Sequence, residues 1–177
     1  MADYLTAGRV VFLEARERAA AVRALAATAA AGVPGLDPGT VTSAVLAREE
    51  GLNTCIAPGI ALPHARLDGL PQATIAVGIS RGGIAWGSDG QNAHLVVMLL
   101  GTCESADQHV CILADIARAV RREDLVQRII QAPNTHAIYE LQVRAQRGRD
   151  PIRDAEKETL NRTLVMRAFD LAEDLGA

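Results

Sequence analysis

"HLVVMLLG", residues 94–101, is an almost unbroken apolar run closed by a glycine. A run of this length bounded by turn residues reads as a central β-strand covered on both faces. Upstream, "ATIAVGIS" (73–80) sets Ile75, Val77 and Ile79 on one side, the period-two pattern of a second strand. Between them "GIAW" (83–86) reads as a further short strand and "SDGQ" (88–91) as a turn. A sheet covered on both faces needs helices above and below it, and the flanking sequence has helical periodicity.

"RVVFLE" (9–14) reads as a short strand. "EARERAAAVRALAATAAAG" (14–32) follows as a helix, with Val22, Leu25, Ala26 and Ala29 on one buried face and Gly32 as its stop. A second helix is predicted after "GVPGLDPGT", with Asp37 as N-cap and Pro38 in the first helical position, where its missing N–H costs nothing. Val41, Ala44 and Val45 form its apolar stripe, and Arg48 is next in register. An arginine continuing a buried face must snorkel or meet an anion.

After the central strand, Ser105 and Gln108 make a capping box that opens a helix with His109 in its first turn. Val110, Leu113, Ala114 and Ala117 are its expected core face. "EDLVQRIIQ" (123–131) and "NTHAIYELQ" (134–142), the latter capped at Asn134, read as two shorter helices. The expected fold is therefore α/β: a mixed β-sheet sandwiched by helices on both faces, with an additional C-terminal helix. Residues 1–142 form the domain. Residues 143–177 are a basic linker, "VRAQRGRD", then an amphipathic helix with Leu160, Leu164, Ala168, Leu171 and Leu175 along one side. That side either docks on its own domain or pairs two chains as a homodimer.

The bulk composition narrows the function. With 177 residues, 49% hydrophobic and 22% charged, the chain can bury a real core. A formal charge of −3 gives no general attraction to nucleic acid or anionic lipid. No segment reaches the roughly eighteen unbroken apolar residues of a membrane span. The N-terminus carries no secretory pattern. Cys55, Cys103 and Cys111 are an odd set without a CxxC spacing, as for reduced thiols in a cytoplasm.

Chemistry concentrates in "IAPGIALPHAR" (56–66), where His64 stands directly behind Pro63. Arg48 at a helix C-terminus, His64 in this proline-bounded segment and His109 in a helix first turn all lie at element ends, where α/β folds form their clefts. A guanidinium fork, helix amides and imidazoles suit a phosphoryl dianion. His94 reads as a hydrogen-bonded boundary residue, His136 as exposed and Trp86 as packing.

"EEGLNTCIAPGIALPHA" (49–65) resembles the active-site signature of the fructose/mannitol-type (type 2) EIIA components of the bacterial phosphoenolpyruvate-dependent sugar phosphotransferase system. Glu49 fills its acidic or amide position. Ile56, Ala57, Gly59, Ile60, Ala61, Leu62, Pro63, His64 and Ala65 fill the string that follows. "AREEGLNT", "SDGQNAHLVVMLL" and "HVCILADIA" are similar to further blocks of that family, and the likeness runs from about residue 5 to 142. Cys55 and Pro58 depart from residues that are often glycine or polar there.

The resemblance implies a phosphotransferase in which His64 accepts a phosphoryl group from phospho-HPr and passes it to a IIB component during sugar uptake. Arg48 and His109 would line the same pocket with Thr54 beside them as a phosphate-binding hydroxyl. Gly59 would allow close backbone approach and Pro63 would fix the conformation leading into His64. Neither cofactor nor metal is implied, and the place of action would be the cytoplasm. The alternative is a nitrogen-regulatory IIA-like protein whose His64 phosphorylation state controls its partners. A hydrolase using His64, His94 and His109 is disfavoured, because separations of 30 and 15 residues match no metal-ligand motif. An inactive interaction module would have no physical need to keep Arg48, His64 and His109 together.

Overall fold

Six strands form one sheet. The computed structural model describes residues 4–136 apart from Leu52, Ser88, Asp89, Ser105 and Arg122. The elements run β1 (Val10–Phe12), α1 (Arg18–Ala30), α2 (Pro38–Gly51), β2 (Cys55–Ala57), β3 (Ile60–Ala61), β4 (His64–Leu67), β5 (Thr74–Ala85), β6 (Asn92–Thr102), α3 (Ala106–Val120) and α4 (Glu123–Ile130). The sheet has the order β1-β5-β6-β3-β2, with β4 also paired to β6, and is mixed: β1 runs parallel to β5, β5 antiparallel to β6, and both β3 and β4 parallel to β6.

The expected central strand is β6, and each of its faces is covered. Leu95, Val97 and Leu99 join Ile75, Val77 and Ile79 of β5 beneath Ile112, Leu113 and Ile116 of α3 and Val126 and Ile129 of α4. Val96, Met98 and Leu100 face the other way with Ala76, against Ala21, Val22, Leu25, Ala26 and Ala29 of α1 and Val41 and Val45 of α2. Each fully buried Leu or Ile contributes roughly 1.5–3 kcal/mol of transfer free energy. The helix sandwich follows from β5 and β6 having apolar residues at odd and even positions alike.

α2 starts as its sequence predicts. The Asp37 carboxylate accepts from the Thr40 amide at 2.7 Å and from its hydroxyl at 2.9 Å, which satisfies a first-turn N–H. These bonds hold the carboxyl of Asp37 below its ordinary pKa.

Four features differ from expectation. "GIAW" is not a separate strand: β5 runs unbroken through Gly82–Gly83, and the extra residues are absorbed as an irregularity between Ile79 and Ile84. The segment 55–67, read without strands, contains three. β3 and β4 lie end to end along the same side of β6 and are separated by Leu62 and Pro63, where a proline cannot donate to a ladder. α3 is rotated from its expected face. His109, Ile112, Leu113 and Ile116 point inward, while Val110, Ala114 and Ala117 are only half-buried, because this face buries two isoleucines where the alternative offers alanines. In α2, Val41 and Val45 are buried as expected, but Ala44 is half-buried and Glu49, one residue beyond Arg48, is buried instead.

No helix among the described residues is long and apolar enough to cross a membrane. The capping serine at 105, most of the helix expected over 134–142, the linker and the final helix lie outside the described residues.

Candidate functional site

His64 opens β4, paired in register with Leu99 of β6. Strand alternation sends Ala65 and Leu67 into the core beneath α2, so His64 and Arg66 project from the opposite face. α3 crosses that face, and its inward rotation brings His109 to His64, with ring centroids 5.6 Å apart and planes inclined at 51°. The pairing of the two histidines thus follows from the α3 register.

The space for His109 comes from a glycine. A Cβ on Gly101 of β6 would overlap Nδ1 of His109 and come within 3.0 Å of Cγ and Cε1. The ring lies against bare backbone, 7% exposed, and Nδ1 has no hydrogen-bond partner. A buried N–H without an acceptor is rarer than an under-used acceptor. His109 is therefore best satisfied as the tautomer with a bare Nδ1 and the proton on Nε2, available to an acceptor. Burial, with help from the charges of His64 and Arg66, lowers its pKa from 6.5 to about 4.

His64 has the complementary tautomer. Nδ1 lies 3.0 Å from the carbonyl of Leu62, which can only accept, so Nδ1 carries the proton. Nε2 then holds the free lone pair, and no hydrogen bond from the described residues engages it. Burial depresses the pKa of His64 and the Arg48 guanidinium depresses it further, while the Leu62 bond and the Glu49 charge oppose them. A neutral imidazole with one pinned and one open nitrogen is a nucleophile at neutral pH.

Arg48 occupies the last turn of α2, half-buried, near enough for its charge to act on His64. Thr54 is buried, and its hydroxyl donates to Oε1 of Glu49. With that proton committed, it offers an anion only lone pairs. His94 is held elsewhere, with Nδ1 3.0 Å from the carbonyl of Ser80, and His136 is exposed. Trp86 is buried, as packing predicts, and also donates to Glu49. Among the described residues no three histidines, cysteines or carboxylates gather into a metal-ligating group. Gly59 sits at φ 78 in the β2–β3 turn, a conformation that favours glycine, and its carbonyl accepts from His94 and Leu95.

Sequence reasoning missed Arg66 and Gly101. Arg66 is exposed, two residues from His64, and its charge acts on His109. Recognising 64–67 as a strand would have placed both side chains on one face. Gly101 read only as the end of an apolar run.

The depressed pKa of His109 sets a stability prediction. Above pH 6.5 both folded and unfolded states hold it neutral, and its contribution is fully present. As pH falls from 6.5 towards 4, only the unfolded chain takes up the proton, and stability is lost. The loss attributable to His109 is about 2 kcal/mol, after the full shift is discounted for solvent at the site. Urea midpoints measured from pH 7.5 to 4.5 should fall less steeply for His109→Gln than for the parent.

Comparison with known proteins gives the family. The alignable part of the "PTS system fructose-specific EIIABC component" of Bacillus subtilis is 34% identical over 99 residues, 55% of this chain but only 16% of that protein. A "Nitrogen regulatory protein" of Pseudomonas aeruginosa is 31% identical over 117 residues, covering 66% of this chain and 76% of its own length. In fold, the nitrogen regulatory protein IIA-Ntr of Neisseria meningitidis superposes with a TM-score of 0.72 at 20% identity, over 79% of this chain and 97% of that one. Residues 3–142 match the family model described as phosphoenolpyruvate-dependent sugar phosphotransferase system, EIIA 2, and the chain belongs to that family.

Proposed function

We propose that this chain is a phosphoryl relay in which Nε2 of His64 accepts the phosphoryl group of a phosphorylated HPr-type carrier and delivers it to a IIB component during sugar uptake. In the first transfer the nitrogen–phosphorus bond on the carrier breaks as the His64 Nε2–phosphorus bond forms. The lone pair on His64 makes the new bond, and the carrier nitrogen recovers its own. No separate base is needed, because His64 is already neutral.

Such a transfer passes through a loose transition state whose charge rests on the equatorial oxygens, so positioning and charge stabilisation dominate. In this reading Arg48 holds oxygens as a bidentate fork, and His109 donates from Nε2. Burial keeps His109 neutral before transfer, so it meets the incoming group as a hydrogen-bond donor without adding positive charge beside the nucleophile. Thr54 serves the phosphate indirectly, through Glu49. The observation that carries the proposal is the pinned Nδ1 and open Nε2 of His64, on a ring whose centroid lies 5.6 Å from that of a second imidazole.

The partners follow from the chemistry and from the fructose relative, whose name joins A to B and C. The site of action would be the cytoplasm, where such carriers work. Residues 1–142 would be the catalytic unit, with 143–177 an appended linker and helix. The second reading, a regulator whose His64 phosphorylation state controls other proteins, is favoured by the 31% identity to a nitrogen regulatory protein. Both share the first step. Incubation with phosphorylated carrier followed by peptide mapping should find a single acid-labile phosphohistidine at residue 64. No modification, or modification only at another histidine, would overturn the proposal. Transfer onward to a IIB domain separates transport from regulation.

A further inference from the structure

Behind His64 lies a buried carboxylate that the transfer itself does not touch. Glu49 is 3% exposed. Its Oε1 accepts from the Thr54 hydroxyl, its Oε2 accepts from Nε1 of Trp86 at 3.0 Å, and Arg18 of α1 stands 3.8 Å from Oε2. Burying a carboxylate costs several kcal/mol unless donors compensate it, so this degree of enclosure points to a tightly determined geometry.

The network continues to the nucleophile. The Thr54 carbonyl accepts from the Leu62 amide at 3.0 Å, and the Leu62 carbonyl accepts from Nδ1 of His64 at 3.0 Å. Trp86, Glu49, Thr54, Leu62 and His64 thus form one chain of hydrogen bonds, beginning at the end of β5 and finishing at the ring. Leu62 is fixed by its N–H and its C=O together, in the break between β3 and β4 where no ladder holds it. Glu49 is also the residue after Arg48, so anchoring its side chain fixes the rotation of the last turn of α2 and the direction in which the guanidinium leaves it.

We propose that Glu49 and Trp86 are positioning residues that act through Thr54 and Leu62 to hold His64 in its Nδ1–H tautomer and Arg48 in its orientation. The proposal rests on the reading of His64 as phosphoryl acceptor. Neither residue touches the phosphoryl group. Their role is to keep Nδ1 donating to Leu62 and Nε2 aimed, since misplacement of a reacting group by about 1 Å can cost 10²-fold in rate.

The test uses the full chain and a phosphorylated HPr-type carrier. Trp86→Phe keeps the apolar bulk and removes the N–H. Glu49→Leu keeps the approximate shape and removes both acceptors. Each should lower the maximal rate of single-turnover uptake about 10-fold while leaving half-saturation by carrier within about twofold. Glu49→Gln should restore uptake to within about threefold of the parent, because its amide oxygen can accept from Trp86 and its NH₂ can donate to the rotatable Thr54 hydroxyl. Nitrogen NMR of the His64 ring above its pKa should show one tautomer in the parent and in Glu49→Gln, and a mixture in Trp86→Phe. Because the chain has a single tryptophan, its indole cross-peak is unambiguous and should move when His64 is phosphorylated.

Folded Trp86→Phe and Glu49→Leu variants with parental tautomer and parental uptake would overturn the proposal. So would a loss in Glu49→Gln as large as in Glu49→Leu. A parent that takes up no phosphoryl group would overturn the acceptor reading instead, and the ring tautomers would still decide the positioning role.

Discussion

His64→Ala is expected to take up no phosphoryl group from the carrier while remaining almost as stable as the parent. The two halves of this expectation have separate origins. His64 is only half-buried, and its one hydrogen bond is to the Leu62 carbonyl, so truncation removes a single bond worth about 1 kcal/mol from a domain whose cores lie to either side. The chemistry has no substitute. His109 presents a buried Nδ1 against the β6 backbone, and its remaining nitrogen carries the proton, so it has no accessible lone pair with which to attack. Intact-mass measurement after exposure to phosphorylated carrier, beside a urea titration, checks both halves. Labelling of the variant at the parental rate would remove His64 from the mechanism.

Gly101→Ala is expected to lower uptake by about 10²-fold and to cost about 1–3 kcal/mol of stability, although the substitution adds one methyl group and no charge. The methyl would occupy the position of the His109 ring. β6 cannot retreat, because Gly101 is paired in register with Arg66 of β4 and the preceding residue with Thr74 of β5. The adjustment therefore falls on His109 or on α3, and either moves the ring away from His64. Combining Gly101→Ala with His109→Ala should recover the lost stability without recovering the rate. That non-additivity distinguishes a displaced ring from a damaged strand. A Gly101→Ala protein with parental uptake would mean that the position of His109 is unimportant.

These residues also show what sequence can disclose. Long elements with repeated apolar spacing were legible: β6, most of β5, α1, α2 with its Asp37 cap, and α4 all fall where pattern places them. The signature around His64 was legible because its residue types are unusual together. The strands β2 to β4 were not, since two to four residues interrupted by Pro58, Gly59 and Pro63 are too few to establish a period. That gap concealed Arg66. Two separate apolar runs, 73–80 and 83–86, divided β5 on paper, whereas the strand itself carries the extra residues between Ile79 and Ile84 as an irregularity opposite Ala93–Leu95. For α3, two faces one residue apart have similar periodicity, and only the size of Ile112 and Ile116 selects between them. Thr54 was placed beside the phosphate by resemblance, and nothing in the sequence disclosed that its hydroxyl donates to Glu49.

The two faces of the sheet are built from different stock. Under α1 and α2 the buried set includes seven alanines, Ala21, Ala26, Ala29, Ala61, Ala65, Ala76 and Ala93, whereas under α3 and α4 it is almost entirely Leu, Ile and Val. Random change therefore threatens the halves in opposite ways, by enlargement on the first side and by hollowing on the second. Added methylenes strain a layer packed over alanines, and a trimmed Leu, Ile or Val leaves a cavity in the layer built from them. Alanine-to-valine changes on the Arg48 flank and isoleucine-to-alanine changes on the His109 flank should accordingly each lower the stability of this domain.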